Sequence, residues 1–349
     1  MALCRFESDV LGKPTLHIAK RLATIEIMMN KFLVFCLIPI VTLKEFQVNE
    51  NLDYLKYHVQ INEVEILLSQ EAFEDALIAY EQIFEIYDFV FLRDYKVAAQ
   101  LALYLDDRKI ALDLLRKGIA AGWELKNIKK NNFLKPLQED PEWSAIEQSY
   151  SNLHSQYGTR IDWDLREIVH LMFKKDQKKA MGALFRIGNK AQERYGTKKF
   201  APHSEIQIFE LIGILNKNGY PGEKLIGNDF WMSTIISHHN SISQEYSKKD
   251  TLYNFIKPKL IRAIEKGEMS PYEYALMDDW QIVVSSGRTK PGYGFLMPPT
   301  DSTLSKTNQL RQKIGLRTIE IRNKLVDVEK KTGMNFYLPN WIKGKINIE

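Results

Sequence analysis

Two adjacent histidines, His238 and His239, are the residues best suited to chemistry in this sequence of 349 residues. On a helix, consecutive side chains point about 100° apart, so the pair is not expected to bind one metal ion. His238 shares an apolar stripe with Trp231, Ile235 and Ile242. This spacing predicts that His238 faces inward and that His239 is the more dispensable of the two.

Two roles are open to an inward-facing His238. A histidine in an apolar stripe is usually a core residue whose ring nitrogens are hydrogen-bonded. Beside Asp176 or Asp279, the same imidazole could instead act as a general base, because it changes charge near neutral pH.

Strong metal and cofactor motifs do not occur in the sequence. Glu167 and His170 form one Glu-x-x-His pair, whereas a carboxylate-bridged di-iron site needs two such pairs and two more glutamates. Only two cysteines occur, Cys4 and Cys36. The HExxH zinc motif, the phosphate-binding loop, the GxSxG elbow and the dinucleotide fingerprint are all missing. We therefore expect no cofactor, no metal and no familiar enzyme class.

Composition indicates a globular protein, with 45% hydrophobic and 26% charged residues. The net charge of +4 argues against a dedicated nucleic-acid binder, which would carry a concentrated basic surface. Residues 160–199 contain more basic than acidic residues, with 11 lysines and arginines against five aspartates and glutamates. Such a run is either a solvated helix face or a surface for an anionic partner.

Residues 29–47 carry the features of a secretory signal. Lys31 precedes twelve almost wholly apolar residues, 32–43, too few to span about 30 Å of hydrocarbon as a helix. Residues 44–47 lack the small-x-small cleavage pattern, and a buried helix or strand is the alternative. We interpret Met29 as the true start, residues 1–28 as an extension without a domain of its own, and the location as periplasmic or secreted, otherwise cytoplasmic.

Residues 48–125 are predicted to be helical repeats. Ala76 and Ala111 occupy matching positions 35 residues apart, close to the period of about 34 residues in tetratricopeptide repeats, which the region resembles. Residues 126–158 are predicted to add a capping helix and a linker. The resemblance implies a groove for a peptide or a partner protein; alternatively, these helices only support the rest of the chain.

Residues 159–330 are predicted to form a second, mainly helical domain, followed by a C-terminal tail at 331–349. Within it, two short apolar pieces flank a turn with Gly and Pro at 281–297, which predicts a β-hairpin. The predicted fold is therefore mainly α: tetratricopeptide-like helical hairpins, then a helical domain with one small β-hairpin.

An ordered set of motifs in this second domain resembles a known family. The motifs are DQ at 176–177, GYPG at 219–222, LIG at 225–227, His238, KGEMSPYEYALMDD at 266–279, Tyr293-Gly294, and LRQKIGL at 310–316. Together they resemble the uncharacterised bacterial domain of unknown function 6624 over about 150 residues. Because this family has no assigned activity, the resemblance indicates which residues could form a site but does not indicate which reaction they would catalyse. It implies the candidate site residues Asp176, Gln177, His238, Asp279 and Tyr293.

The chain departs from the family pattern at three places. The family has Asp-Gln-x-x-Arg, and here Lys179 is the nearest basic residue. Trp280 follows Asp279 in place of another arginine, and Phe295-Leu296 replace Thr-Gln after the Tyr-Gly pair. Tryptophan cannot offer the bidentate fork that arginine offers to a carboxylate or phosphate. An anion site built on those arginines would be partly lost in this chain.

Two functions remain open from the sequence. The first is an exported protein-interaction module that binds a protein or peptide through the repeat groove, with no nucleic acid, no stable membrane span and no catalysis. The alternative is a hydrolase-like or small-ligand-binding domain centred on Asp176, Gln177, His238 and Asp279. Convergence of these four side chains in one pocket open to solvent would favour the second function.

Overall fold

A computed structural model describes residues 52–338 and 344–349 of the chain. Over these residues the protein is mainly helical, with 16 α-helices and no β-strand. The predicted helical class is thereby confirmed. The predicted extension at 1–28 and the predicted secretory signal at 29–47 lie outside the described residues.

The first six helices cover the predicted repeats and the predicted cap. They are α1 (Tyr54–Ser69), α2 (Phe73–Ile86), α3 (Leu92–Tyr104), α4 (Arg108–Ala120), α5 (Leu125–Lys130) and α6 (Trp143–Arg160), with a 3₁₀ helix at Asn132–Glu139. Helix α1 packs on α2, and α3 packs on α4. Asp53 and Asp107 begin α1 and α4 by accepting hydrogen bonds from N–H groups of the first turn.

The turns between the paired helices recur with the predicted spacing. Glu71 and Asp106, 35 residues apart, both have positive φ, at 61° and 62°. In both turns, the next residue donates its N–H to the carbonyl five residues earlier, at 3.0 and 2.9 Å. Ala76 and Ala111 are both fully buried, as expected of small residues that face a partner helix.

The C-terminal segment lies against α3. Gln100 binds both backbone groups of one residue: its side-chain NH₂ donates to the carbonyl of Asn335 at 2.8 Å, and its side-chain carbonyl accepts from the N–H of Asn335 at 2.9 Å. Met334, Phe336 and Leu338 are buried in the same hydrophobic cluster as the first six helices. Residues 334–338 are thus part of the first core.

Ten further helices complete the described chain. They are α7 (Trp163–Leu184), α8 (Asn189–Tyr195), α9 (Ala201–Lys217), α10 (Glu223–Ile226), α11 (Trp231–Asn240), α12 (Gln244–Lys249), α13 (Leu252–Glu265), α14 (Pro271–Ser285), α15 (Asp301–Lys313) and α16 (Ile319–Thr332), with a π-helical turn at Gly196–Phe200. A second hydrophobic cluster holds apolar residues of α7, α9, α11, α13 and α14. Helix α16 instead contributes Leu325, Val326 and Val328 to the first cluster.

Buried polar contacts join the two clusters. The carboxylate of Glu65 on α1 pairs with Arg93 on α3 at 2.6 Å and with Arg317, which precedes α16. Farther along, the carboxylate of Glu223 accepts from the N–H of Leu92 at 2.6 Å. The Glu65–Arg317 and Leu92–Glu223 contacts cross from the first helices to a later part of the chain.

The predicted β-hairpin at 281–297 is wrong. Helix α14 continues to Ser285, over the first five of these residues, and the rest is a loop in which Gly292 and Gly294 have φ of 58° and 81°, values that L-residues rarely adopt. The carboxylate of Asp279 accepts the backbone N–H groups that a partner strand would have bound. The donors are Tyr293, Phe295 and Leu296, at 2.7, 2.8 and 3.0 Å.

None of the helices within residues 52–338 and 344–349 combines the length and the apolar character needed to cross a membrane.

Candidate functional site

Helices α7 and α11 bring together three of the predicted site residues. The Nδ1 atom of His238 lies 2.6 Å from Oδ2 of Asp176, and the amide of Gln177 donates to the same oxygen at 3.2 Å. Asp176 is fully buried at 0% side-chain exposure, whereas His238 keeps 32% of its side chain exposed. The buried carboxylate therefore fixes the orientation of the imidazole, while one edge of the ring stays exposed to solvent.

The hydrogen bond to Asp176 fixes which ring nitrogen of His238 carries a proton. An ionised carboxylate can only accept, so the bonded Nδ1 must carry the hydrogen. In neutral imidazole, Nε2 then holds the free lone pair. Within the described part of the chain, Nε2 of His238 has no hydrogen-bond partner. This arrangement can take a proton from a molecule that approaches the open edge.

Two aromatic side chains border the pair. Phe200, the last residue of the π-helical turn, presents its ring at 73° to the ring of His238, with centroids 6.3 Å apart. Short π-helical turns are rare and occur frequently at functional sites. His203, in the first turn of α9, interacts electrostatically with the carboxylate of Asp176. Burial lowers the pKa of His203, and the nearby carboxylate of Asp176 only partly offsets this, so His203 is neutral at pH 7.

Two buried polar atoms at this place lack partners. Oδ1 of Asp176 and Nε2 of His203 form no hydrogen bond to any described residue. Buried polar atoms are almost always paired, so unpaired ones call for an explanation such as a ligand or a water molecule. A buried acceptor and a buried ring nitrogen left unpaired beside a partly open histidine fit an enclosed water molecule.

The histidine predicted to be dispensable, His239, is the fully buried one. The prediction that His238 is the inward-facing histidine of the pair is wrong, because the side chain of His238 is 32% exposed and that of His239 is 0% exposed. Both strips of α11 are covered, with Met232 and Ile236 as buried as Ile235. The helix lies in contact with α7, α9 and α14, and the spacing of apolar residues within α11 could not reveal how many neighbours cover it.

His239 belongs to a closed hydrogen-bonded row. Its Nδ1 lies 2.9 Å from Oγ of Ser204, and its Nε2 lies 3.2 Å from Oδ2 of Asp250. The residue types match a Ser-His-Asp triad. Ser204 and His239 are both 0% exposed, however, so a substrate cannot reach the hydroxyl group.

Asp250 shows why this row is structural. Its carboxylate also accepts from the N–H groups of Leu252 and Tyr253 at 2.9 and 3.1 Å, at the start of α13. Burial works against ionisation of Asp250, but the hydrogen bonds from His239 and these two N–H groups outweigh it and lower its pKa. The row therefore holds α9, α11 and α13 together around a carboxylate that stays ionised.

Asp279 and Tyr293 lie in a separate group. Asp279 binds the loop after α14, and burial raises its pKa to about 7. The carbonyl of Tyr293 accepts from Arg311 at 2.7 Å, and its hydroxyl donates to Asp278 at 3.3 Å. No hydrogen bond between described residues connects this group to Asp176. Of the five predicted site residues, three converge and two maintain a loop.

Sequence reasoning missed Phe200 and His203. Both come 35 to 38 residues before His238 and belong to no recognisable motif with Asp176. Their only signal was the basic run that ends at Lys199, directly before them. In the described residues, no three His, Cys, Asp or Glu side chains are grouped so as to hold a metal ion.

No protein-family model matches the chain, and neither a curated protein nor a solved structure matches it.

Proposed function

We propose that the Asp176–His238 pair is a general acid–base site and that the protein is a hydrolase-like enzyme. One observation carries the proposal: a fully buried carboxylate holds Nδ1 of a partly exposed imidazole at 2.6 Å, with Nε2 left without a described partner. A histidine that served only the core would be expected to have both nitrogens paired.

The chemistry that fits this geometry is activation of water. Nε2 of His238 would take a proton from a water molecule as the water oxygen attacks an acyl or phosphoryl centre. The imidazolium that forms would carry a positive charge, and the carboxylate of Asp176 would stabilise it at Nδ1. His238 would then return the proton to the leaving group. The unpaired Oδ1 of Asp176 and Nε2 of His203 are buried, so an enclosed water molecule, and not the substrate, would pair with them.

Reactivity of the ring nitrogens tests the first half of this proposal. Diethyl pyrocarbonate acylates unprotonated imidazole, and mass spectrometry reports the rate at each histidine. His238 should react quickly because its Nε2 is open, whereas His239 should be protected by burial. In Asp176→Asn, the rate at His238 should fall, because the asparagine NH₂ group can donate to Nδ1 and so favour the tautomer in which Nε2 carries the hydrogen. Equal rates at His238 and His239 would contradict the proposal.

Hydrolysis of p-nitrophenyl acetate tests the second half. His238→Ala should lower the protein-dependent rate by roughly 10²-fold, the usual contribution of a general base. The matched control is His154→Ala, because His154 lies between the rings of Tyr150 and Tyr157 and has no carboxylate partner among the described residues. If His238→Ala and His154→Ala hydrolyse the ester at the same rate as the parent, the site is not catalytic.

A second function, the predicted protein-interaction module, is supported by the contact between α3 and the C-terminal segment. Gln100 binds both the N–H and the carbonyl of Asn335, and Arg93 donates to the carbonyl of Phe336 at 3.1 Å. Side chains of α3 thus bind the backbone of an extended segment, as a repeat groove would bind a partner peptide. The recurring turns at Glu71 and Asp106 support a repeat architecture of this kind.

A peptide supplied in trans tests this second function. A labelled peptide of residues 331–338 should bind weakly to the parent, because the attached segment competes at high effective concentration. Phe336→Ala weakens that competitor and should bind the peptide at least about tenfold more tightly. Adding Gln100→Ala should abolish the gain, and a scrambled peptide serves as the control. Failure of Phe336→Ala to bind the peptide would contradict a partner-binding groove.

A further inference from the structure

The turn between α7 and α8 carries two apolar side chains directed into solvent. Phe185 is 76% exposed and Ile187 is 98% exposed, while Met181, one turn before the end of α7, is 51% exposed. Full exposure of a large aliphatic side chain to water is unfavourable relative to burial. Three exposed apolar residues at and just before one turn indicate a surface that a binding partner covers.

Five cations surround this turn. A concave surface of about 890 Å³ is lined by Arg186, Lys190, Arg194, Lys198 and Lys199. None of the five forms an ion pair with an acidic side chain of the described residues. Lys190, Arg194 and Lys198 follow one another at intervals of four residues, which places them on one side of α8 and the π-helical turn. The surface is therefore an uncompensated site for negative charge.

One wall of the concave surface is fixed by Tyr195. Its hydroxyl donates to the carbonyl of Lys179 on α7 at 3.1 Å, and its ring lies 5.4 Å from the guanidinium carbon of Arg186. Gly182 makes the contact possible, because a Cβ atom there would lie 2.0 Å from the tyrosine hydroxyl. Helix α8 is thereby attached to α7 with its cations aligned.

Acidic residues of this region are kept on another surface. Glu193, on α8 itself, lines a different concave surface together with Glu205 and Glu245. The same short helix thus separates the two signs of charge. A polyanion would be attracted to one side only, and the apolar turn lies on that side.

We propose that residues 181–199 form a peripheral binding surface for an anionic lipid bilayer. Lys190, Arg194 and their neighbours contact the phosphate-bearing headgroups, while Phe185 and Ile187 insert among the acyl chains. This combination of a cationic rim and an inserted apolar tip is how interfacial segments bind membranes. It is independent of the acid–base site proposed above.

A membrane fits better than a nucleic acid. Nucleic acids are bound through phosphate contacts, base edges and aromatic stacking, and none of these explains an aliphatic side chain such as Ile187 that is 98% exposed. A bilayer offers both anionic headgroups and hydrocarbon within a few ångströms. The fully exposed isoleucine beside the five cations is the feature that selects the lipid surface.

Co-sedimentation with vesicles tests the proposal on the full chain. The parent should bind vesicles of phosphatidylcholine with phosphatidylserine and not vesicles of phosphatidylcholine alone, and the binding should weaken as salt is added. Lys190→Glu with Arg194→Glu should bind at least about tenfold more weakly. The matched control, Lys109→Glu with Lys324→Glu, changes the net charge equally at exposed positions elsewhere and should bind like the parent.

The apolar tip requires its own comparison. Ile187→Ser should weaken vesicle binding roughly tenfold, whereas Ile206→Ser, at an exposed isoleucine of α9, should not. Equal binding to both kinds of vesicle, or equal losses in the two double variants, would overturn the proposal. If Ile187→Ser leaves vesicle binding unchanged and a labelled DNA duplex binds with the same dependence on Lys190 and Arg194, the surface is a nucleic-acid site instead.

Discussion

His238 and His239 are neighbours on α11, and each is bound to a carboxylate, yet the two environments differ. The pair His238–Asp176 leaves one ring nitrogen open at a side chain that is 32% exposed. The row Ser204–His239–Asp250 uses both ring nitrogens and is almost wholly buried. The same residue type is therefore available for chemistry in one case and committed to packing in the other.

The difference shows that residue types alone do not indicate catalysis unless a substrate can reach the side chains. The closed row contains serine, histidine and aspartate in hydrogen-bonded order, which is the more familiar catalytic combination. It cannot act on a substrate because its hydroxyl is buried. The open pair has fewer reactive groups, but it alone presents an unpaired nitrogen at the surface.

The largest effect that separates the two environments is expected at His239. His239→Ala removes the partner of both Ser204 and Asp250 inside the core. A buried carboxylate that loses its partner typically costs 3–5 kcal/mol, and we expect about 3 kcal/mol here because two backbone N–H groups still bind Asp250. Urea denaturation measures this directly. A loss below about 1 kcal/mol would show that the row does not stabilise the fold.

A second effect of buried carboxylates is pH-dependent stability. Glu273 accepts from the hydroxyl of Tyr220 at 2.6 Å, and burial raises its pKa from 4.5 to about 7. The folded state therefore binds this proton more tightly than the unfolded state. Its contribution to the free energy of unfolding is complete below pH 4.5 and declines as the pH rises to about 7. The decline is at most about 3 kcal/mol, at about 1.4 kcal/mol per pKa unit.

Glu273→Gln isolates that contribution. The glutamine carbonyl can still accept from Tyr220, but the side chain no longer titrates. Between pH 4.5 and pH 7, the variant should lose less stability than the parent, and the two should differ most in slope rather than at one pH. Parallel pH profiles of the urea midpoint would mean that Glu273 ionises normally in the folded state.

Part of this fold was predictable from short-range patterns. Ala76 and Ala111, 35 residues apart, lie on α2 and α4, the second helices of two packed pairs, and both alanines are buried. The hairpin prediction was wrong because Asp279, two residues before the first predicted strand, binds the backbone of the loop. A side chain that binds the backbone in place of a partner strand does not change the alternation of polar and apolar residues. That alternation therefore could not reveal the loop.

The candidate site was predictable only in part, for a related reason. The Asp176–His238 contact joins residues 62 positions apart, and it was anticipated as one of two alternatives. Which histidine faced inward depended on how many helices cover α11. Periodicity within one helix indicates a buried face, but the width of that face is set by neighbours from distant sequence.

The smallest stability effect is expected at His238, and it is the strictest test of the comparison. His238→Ala removes one hydrogen bond from Asp176, but the side chain was partly exposed, so water can reach the carboxylate through the vacated space. Gln177 continues to donate to it. We expect a loss below about 1 kcal/mol in urea denaturation, while His238→Gln, which retains a hydrogen-bonding group, should be closer still to the parent. A loss at His238 as large as that at His239 would mean that both histidines serve the core, and the acid–base proposal would lose its physical basis. A small loss together with a large fall in ester hydrolysis would separate the two histidines by role.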